Sequence, residues 1–373
     1  MPLPAARTRR DRCPGVLRPW PADDGALVRV RRAGGRLPTL ALAGLAAVAR
    51  QYGDGLVHLT RRANLQLRAL PWDGDRLPEE VVTAVEGTGL LPSRRHELAR
   101  NLMCSPLTGL SGGRADLRPV VRELDERLCA QPELGDLPGR FLFVLDDGRG
   151  DVADLTFDLG YQAGGPDGGY VLVGSAERGL PVRTAEVVPS LLRLALAFAT
   201  ARADTGAWHV AELPAWVDSL GLVPVTPVRG LASTPLGRIG TVASMSVPLA
   251  RLALEQARLV EEVVAGGPVV ITPWRGLVLP GAAERLGDLA AAGFVVEDDT
   301  AWAQVSACVG APFCARARID TTEIAEALVA VGGSLPRTHV SGCERRCGAP
   351  TGDHRDLVAP SMAEALTVIG GRP

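Results

Sequence analysis

The chain has 373 residues, of which 46% are apolar, and its formal net charge is −2. This length favours two or more domains, and the near-neutral charge gives no sign of the positive field typical of proteins that bind nucleic acid or a membrane surface. All 40 basic residues are arginines, so the chain has no lysine amine to form a Schiff base or to serve a phosphate-binding loop.

The apolar runs predict core helices rather than membrane spans. Runs such as Leu37–Ala49 are about a dozen residues long, whereas a spanning helix needs about 20. The arginine-rich start, residues 7–12, is not followed by the apolar stretch of a signal peptide. We therefore expect a cytoplasmic protein, whose seven cysteines are metal ligands or free thiols rather than disulfides.

A unit of one helix and two strands is predicted near the start of the chain. The segment Leu37–Tyr52 has the apolar periodicity of a helix, and Leu56–Thr60 has the pattern of a strand. After a turn, Leu65 and Leu67 alternate with polar residues, which predicts a second strand.

The same unit appears again in the second half of the chain. A predicted helix at Leu249–Val264 precedes a strand at Val269–Thr272 and a further strand around residues 277–279. In this alignment Thr60 of the first unit corresponds to Thr272 of the second. One unit is therefore used twice, far apart in the sequence.

Each unit is followed by a similar helix and strand. Arg114–Leu128 and Phe141–Leu145 follow the first unit, and Thr321–Val331 and His339–Val340 follow the second. Helices and strands mix without strict alternation, which predicts an α+β fold built from two related halves. The glycine-rich segment Gly164–Gly169 lies between two strand-like runs and predicts a hairpin rather than a phosphate loop.

Four cysteines near the C-terminus form one pair separated by five residues and one pair separated by three: Cys308, Cys314, Cys343 and Cys347. A set of four soft thiolates suits an iron–sulfur cluster or a zinc ion. The wider gap holds Gly310 and Pro312 and exceeds the spacing of a usual zinc knuckle, which favours the larger cluster. From the spacing alone, zinc and free thiols stay open.

The two cysteine pairs resemble the cluster signature of the sulfite and nitrite reductases, and the related halves resemble the pseudo-twofold repeat of that family. The resemblance extends from about Cys13 to about Val358. It implies a [4Fe–4S] cluster on the four cysteines, with Cys347 at the position that also bridges to siroheme in the reductases. It implies four parts: a ferredoxin-like half-domain at 13–72, a core domain at 73–228, a second half-domain at 229–281 and a second core domain at 282–373.

Three further segments resemble those that bind anions in this family. They place substrate-binding arginines at Arg62, Arg100 and Arg140. The third segment carries two lysines in the family, and Arg140 and Leu142 stand at their positions here. Arginine is a poor proton donor at neutral pH and leucine cannot donate at all, so we do not expect reduction of a small anion.

Other stretches resemble the precorrin-3B synthase branch of the family more closely than a reductase. They are Cys13–Gly15, Tyr52–Gly55, Asp320–Thr322 and His339–Cys343. The resemblance implies oxygen-dependent hydroxylation of precorrin-3A at C20, with formation of a γ-lactone, in cobalamin (vitamin B12) biosynthesis. The arginines would then bind the carboxylates of this tetrapyrrole through their planar forks.

The resemblance also implies molecular oxygen, an electron donor and a mononuclear non-haem iron. No dinucleotide-binding fingerprint is present, so we expect electrons from a partner protein or an NAD(P)H-linked system. The five histidines show no spacing of two histidines and one carboxylate; His339 and His354 flank the last cysteine pair. Two alternatives stay open: a siroheme-dependent sulfite or nitrite reductase, and a non-catalytic iron–sulfur or zinc protein.

Overall fold

The computed structural model describes residues 11–230, 233–332, 335–350 and 352–370. The strands are β1 Trp20–Ala22, β2 Gly25–Val30, β3 Arg36–Pro38, β4 Leu56–Leu59, β5 Leu65–Leu70, β6 Leu102–Cys104, β7 Phe143–Asp146, β8 Leu159–Gly165, β9 Gly168–Val173, β10 Arg178–Arg183, β11 Val223–Pro224, β12 Gly237–Ile239, β13 Val242–Ser246, β14 Arg251–Ala253, β15 Pro268–Ile271, β16 Gly276–Leu279, β17 Val305–Ala307, β18 Thr338–Ser341 and β19 Arg355–Val358. The α-helices are α1 Thr39–Tyr52, α2 Glu79–Gly87, α3 Arg118–Cys129, α4 Val187–Ala201, α5 Pro214–Asp218, α6 Leu254–Val263, α7 Leu286–Ala291, α8 Ala301–Gln304, α9 Thr321–Val331 and α10 Met362–Gly370.

Two five-stranded antiparallel sheets have the same construction in the two halves. Their strand orders are β1-β2-β5-β4-β14 and β12-β13-β16-β15-β3. The last strand of each sheet comes from the other half of the chain, since β14 pairs with β4 and β3 pairs with β15. Helices α1 and α6, which follow the exchanged strands, contact each other over a shared apolar core. The exchange therefore locks the halves together and confirms the predicted repeat.

The turns between the paired strands show the same repeat in atomic detail. The Thr60 hydroxyl oxygen accepts a hydrogen bond from the Asn64 N–H at 3.1 Å, and the Thr272 hydroxyl oxygen accepts one from the Gly276 N–H at 3.0 Å. The residue before each donor has a positive φ, 52° at Ala63 and 63° at Arg275. The predicted correspondence of Thr60 with Thr272 is confirmed.

The two predicted core helices begin later than the sequence suggests. Helix α1 begins at Thr39 rather than Leu37, and α6 begins at Leu254 rather than Leu249. Leu37 and Leu252 instead lie in the exchanged strands β3 and β14. A short apolar run fits either a helix or a strand, and here the open sheet edge of the other half decides the outcome.

The other two sheets form the rest of the fold. A six-stranded sheet has the order β11-β10-β9-β8-β7-β6, and a parallel three-stranded sheet has the order β17-β18-β19. The hairpin predicted at Gly164–Gly169 is confirmed, because β8 and β9 pair antiparallel around this turn. Helix α9 has the predicted bounds. Helix α3 begins at Arg118, not Arg114, and β7 begins at Phe143, not Phe141, since the Phe141 N–H donates to the Pro138 carbonyl in a turn.

One apolar segment is longer than the sequence analysis expected. The 18 residues Thr184–Ala201, which include α4, are long and apolar enough to cross a membrane by length and composition alone. In the fold, buried residues of α4 such as Leu191 and Phe198 belong to the apolar core under the six-stranded sheet. The expectation that apolar runs end at about a dozen residues is wrong for this segment, which forms a core helix here.

The domain boundaries remain a prediction. The predicted half-domain 229–281 includes residues 231–232, and the predicted core domain 282–373 includes residues 333–334, 351 and 371–373, all of which lie outside the described residues. Most of the basic start, up to Arg10, lies outside them as well.

A buried aspartate in the first half makes stability depend on pH. Burial raises the pKa of Asp151 to about 7, although the Ser105 hydroxyl donates to its carboxylate at 2.7 Å. The unfolded chain releases this proton near pH 4, so the free energy of unfolding falls as pH rises from about 4 to about 7. We expect Asp151→Asn to remove this loss and to be more stable than the parent at pH 8. Urea unfolding at pH 5 and pH 8 checks this, and an equal loss in both proteins would contradict it.

Candidate functional site

A cavity of about 700 Å³ lies between the first five-stranded sheet and the loops that carry the cysteines. We call it the arginine cleft, because eight arginines line it: Arg29, Arg61, Arg62, Arg68, Arg251, Arg275, Arg316 and Arg345. Three of the predicted cluster cysteines line the same cavity: Cys308, Cys314 and Cys347. Asp23 is the one acidic residue among the described residues that line it. The cleft is therefore strongly cationic.

Strand pairing places one polar residue from each of four strands in a row across the floor of the cleft. Arg29 of β2 pairs with Gln66 of β5, Gln66 pairs with His58 of β4, and His58 pairs with Arg251 of the exchanged strand β14. Residues in register across a sheet lie on the same face. The second half of the chain therefore supplies one cation of the floor, and the cleft is complete only when the two halves exchange strands.

Parallel strands bring the two cysteine pairs together. Cys308 follows β17 and Cys343 closely follows β18, and these strands pair side by side. The Gly342 N–H donates to the Cys308 sulfur at 3.3 Å. A Cβ atom at Gly342 would lie 2.4 Å from the Ala317 side chain, so only glycine allows this close approach. Such N–H contacts to thiolate sulfur are typical of iron–sulfur sites.

The four cysteine sulfurs lie close enough to influence one another. Burial raises the pKa of Cys347, the charges of Cys308, Cys343 and Cys314 raise it further, and Arg345 opposes the rise. Within the described residues, however, no three His, Cys, Asp or Glu side chains are arranged to hold a single ion. A cluster binds each cysteine through a different iron, so its ligands need not converge on one point. Four soft thiolates are chemically suited to a [4Fe–4S] cluster.

Two arginines, one from each half, hold each cysteine loop. In the first loop, the Val309 carbonyl accepts from Arg251 and the Phe313 carbonyl accepts from Arg68, both at 3.4 Å. Arg251 also donates to the Thr322 hydroxyl at 2.7 Å. Its pKa is lowered by burial. These arginines therefore connect the floor of the cleft to the Cys308–Cys314 loop.

The second cysteine loop has the same kind of support. Arg275 donates to the Gly348 carbonyl at 2.9 Å, and Arg61 donates to the Ala349 carbonyl at 2.7 Å. Burial, together with the charge of Arg61, lowers the pKa of Arg275 to about 10. Cys347 directly precedes the residues of these two carbonyls, so arginines from both halves of the chain fix its position.

Of the three arginines predicted to bind substrate, the structure places one in the cleft. Arg62 lines it, and donates to the Arg140 carbonyl at 3.0 Å. Arg140 is not among the lining residues; its side chain is partly exposed and stacks over Trp208, 5.0 Å from the ring centroid. Arg100 is also outside the cleft, with 1% of its side chain exposed, in a two-pronged pair with Asp125 at 2.7 Å for both bonds. Substrate roles for these three remain predictions, and the geometry favours a structural role for Arg100.

The Arg100–Asp125 pair gives a direct test of that structural role. Removing one partner of a buried ion pair leaves the other charge unpaired and costs about 3 kcal/mol. We expect Arg100→Gln to lower the free energy of unfolding by roughly that amount in urea titrations. Arg127→Gln on α3, the helix that carries Asp125, should change the free energy of unfolding by less than about 0.5 kcal/mol, because Arg127 pairs with Glu123 at the surface. An Arg100→Gln protein of unchanged stability would contradict this role.

The predicted second iron has no ligand set in the described part of the chain. His339 and His354 do lie near each other, with ring centroids 6.4 Å apart, and His354 bonds to Asp356 at 3.2 Å. His339 is fully buried, and burial, together with the charge of Arg275, lowers its pKa to about 4. Its Nδ1 bonds to the Ser306 hydroxyl at 2.9 Å, whereas its Nε2 has no partner. The group does not meet the geometry of a single-ion site, and no step is assigned to a second iron.

Arg29 is the cleft residue that most needs a ligand, and the sequence analysis missed it. Its Nε is buried without a hydrogen-bond partner, and burial lowers its pKa. A buried, unpaired donor is costly unless something binds it. Burial lowers the pKa of neighbouring Arg62 in the same way. The signal was present in the alternation of β2, where Arg29 stands between the buried Val28 and Val30.

Comparisons with known proteins identify the fold of this chain. Residues 21–73 match the family described as the nitrite/sulfite reductase ferredoxin-like half domain. The solved structure of the NirA protein of Mycobacterium tuberculosis superposes with a TM-score of 0.60 at 17% identity, covering 91% of this chain and 72% of NirA. The chain has the nitrite/sulfite reductase fold. This confirms the predicted α+β fold, and the match to residues 21–73 falls on the first sheet, which forms the floor of the cleft.

A curated relative is similar over almost the whole chain. It is a precorrin-3B synthase of Sinorhizobium sp., 27% identical over 401 residues, which cover 98% of this chain and 84% of the relative. This confirms the resemblance predicted from the sequence. The similarity and the fold together support an enzymatic role.

Proposed function

We propose that the chain is a precorrin-3B synthase of cobalamin biosynthesis. It would hydroxylate precorrin-3A at C20 with molecular oxygen and close a γ-lactone from an acetate side chain of ring A. The observation that carries the proposal is the arginine cleft, which joins eight cations to three of the four cysteines in one cavity. The similarity to the Sinorhizobium precorrin-3B synthase supports the choice of substrate.

The cleft suits a large, polycarboxylate macrocycle. Its volume of about 700 Å³ falls in the range of cofactor and ligand pockets. Arginine forks bind carboxylates through two parallel hydrogen bonds and keep their charge at any physiological pH. The spread of arginines over the floor and both cysteine loops matches a ligand with carboxylates around its rim. Arg29 and Arg62 would bind side chains of the ring over β2 and β5.

The four cysteines are proposed as ligands of a [4Fe–4S] cluster at the edge of the cleft. When bound, such a cluster supplies one-electron transfer. Arg68, Arg251, Arg61 and Arg275 hold the cysteine loops and so fix the distance between ring and cysteines.

The proposed reaction needs a co-substrate and a source of electrons. One atom of molecular oxygen enters the ring as the C20 hydroxyl, and the other leaves as water after uptake of two electrons and two protons. A partner protein or an NAD(P)H-linked system would supply those electrons, in the cytoplasm.

Isotope labelling tests the proposal. Protein purified without oxygen is supplied with precorrin-3A, a reductant and ¹⁸O₂, and the product is analysed by mass spectrometry. We expect a product with one labelled oxygen atom, formed by the parent and by the surface variant Arg127→Gln. Absence of the labelled product would contradict the oxygenase.

A siroheme-dependent reductase is the second candidate, because the matched half-domain is named after nitrite and sulfite reductases. It predicts siroheme absorption bands and sulfite or nitrite reduction by the same preparation. Leu142, at one lysine position of the family, cannot donate a proton to a small anion, which argues against this candidate.

A further inference from the structure

A second cavity of about 570 Å³ lies at the other strand exchange, where β3 of the first half joins β15 of the second. Helix α3 forms its outer wall, and Gly266 and Gly267 border it from the second half. We call it the junction cavity. Nothing in the proposed reaction uses it.

The junction cavity is lined by Val270 and Arg36, two residues of the row in the second sheet that corresponds to the floor of the arginine cleft. In the second sheet the equivalent row runs through Ser244, Val278, Val270 and Arg36, and Arg36 holds the place that Arg251 holds in the first. The polar middle of the row is thus replaced by two valines. Leu107 packs against these valines in a small apolar cluster. The junction cavity is therefore smaller and more apolar than the cleft, which disfavours a second macrocycle.

Two pairs of arginines line the junction cavity, an inner pair beside β3 and an outer pair on α3. Arg32 and Arg36 form the inner pair, and the Arg32 Nε donates to the Arg36 carbonyl at 2.5 Å. One terminal nitrogen of Arg36, Nη1, is buried and has no hydrogen-bond partner. Burial, together with the charge of Arg118, lowers the pKa of Arg36. The inner pair thus holds positive charge that the fold does not fully compensate.

The outer pair lies one turn apart on α3. Arg118 is paired with Asp116, and Arg122 is exposed at the rim. Two acidic residues line the cavity as well: Asp125, which is bound to Arg100, and Glu126, which is exposed to solvent. Apolar side chains also line the cavity: Leu37, Val121 and Val270 among them.

We propose that the junction cavity binds a small dicarboxylate with an apolar body. One carboxylate would accept hydrogen bonds from Arg32 and Arg36, the other would bind at Arg118 and Arg122, and the hydrocarbon part would contact the apolar wall. Both halves and α3 line the cavity, so an occupant also ties the strand exchange together. The site is independent of the proposed reaction.

Calorimetric titration with linear dicarboxylates tests the site on the full chain. We expect sebacate to bind at one site per chain and more tightly than succinate, because each added methylene buries apolar surface. Loss of one charge-assisted hydrogen bond weakens binding by about tenfold or more. Arg36→Gln and Arg122→Gln should each bind sebacate more weakly by this factor. Because Arg122 is exposed, Arg122→Gln should fold even if a substitution at the more buried Arg36 disturbs the structure.

Two matched variants separate this site from the surface and from the cleft. Arg127→Gln, an exposed arginine of α3 outside the cavity, and Arg62→Gln, in the arginine cleft, should both bind sebacate as the parent does. Sebacate should also raise the thermal midpoint of the parent but not that of Arg122→Gln. Unchanged binding in both Arg36→Gln and Arg122→Gln, equal affinity for succinate and sebacate, or loss of binding in Arg62→Gln would overturn the proposal.

Discussion

Replacing Cys343 by serine is expected to remove the iron–sulfur cluster. Serine keeps the size of the side chain but lacks the soft thiolate that iron prefers, and a [4Fe–4S] cluster needs four such ligands. Protein purified without oxygen should fall from about four irons and four sulfides per chain to a small fraction of that, with loss of the broad visible absorption. Iron, sulfide and zinc assays, together with the spectrum, measure the change.

The matched control is Cys129→Ser. Cys129 lies at the end of α3, is partly buried like Cys343, and packs against the core of the first half. Its variant should keep the full iron and sulfide content. Equal cluster content in the Cys343 and Cys129 variants would refute the ligand assignment. Zinc without sulfide in the parent protein would refute the cluster itself.

The sequence pattern predicted correctly the elements that are held by contacts between residues close together in the chain. Helix α9 has the predicted bounds because Asp320 caps it, accepting from the Thr322 and Glu323 N–H groups, and its apolar residues recur at helical spacing. The Gly164–Gly169 hairpin and the Thr60 and Thr272 turns are equally local. By contrast, β3 and β14 were read as the first turns of helices, since their partners lie more than 190 residues away along the chain.

The difference between short-range and long-range contacts also explains which residues of the candidate site were predicted. The cysteine spacing identified a four-thiolate set, because spacing is a property of the sequence itself. Most cleft arginines were missed, because they converge only in the folded sheet, where Arg29 of β2 and Arg251 of the exchanged strand β14 lie at opposite ends of one row. Arg100 illustrates the reverse case. Its segment resembled an anion-binding one, yet α3 supplies Asp125 as a partner inside the fold.

The second large effect is expected from Arg29→Gln in the floor of the cleft. Arg29 has a buried Nε without a partner, so in the free protein its charge is a cost rather than a gain. A bound carboxylate would supply the missing acceptor, and a charged hydrogen bond of this kind contributes about 1.5–3 kcal/mol. We expect the variant to bind uroporphyrin III, a polycarboxylate tetrapyrrole, roughly ten- to a hundredfold more weakly than the parent by fluorescence titration.

The same substitution should leave the free protein as stable as the parent or more stable, because it removes a buried N–H donor that has no partner. Weaker binding together with unchanged or higher stability would show that Arg29 serves ligand binding rather than folding. It is opposite to the result expected for Arg100→Gln, which should lose stability through Asp125. Arg127→Gln, far from the cleft, should change neither quantity. If Arg29→Gln instead unfolds at lower urea concentration and binds uroporphyrin III as the parent does, Arg29 supports the fold. The buried Nε of Arg29 then no longer indicates that the cleft binds a carboxylate.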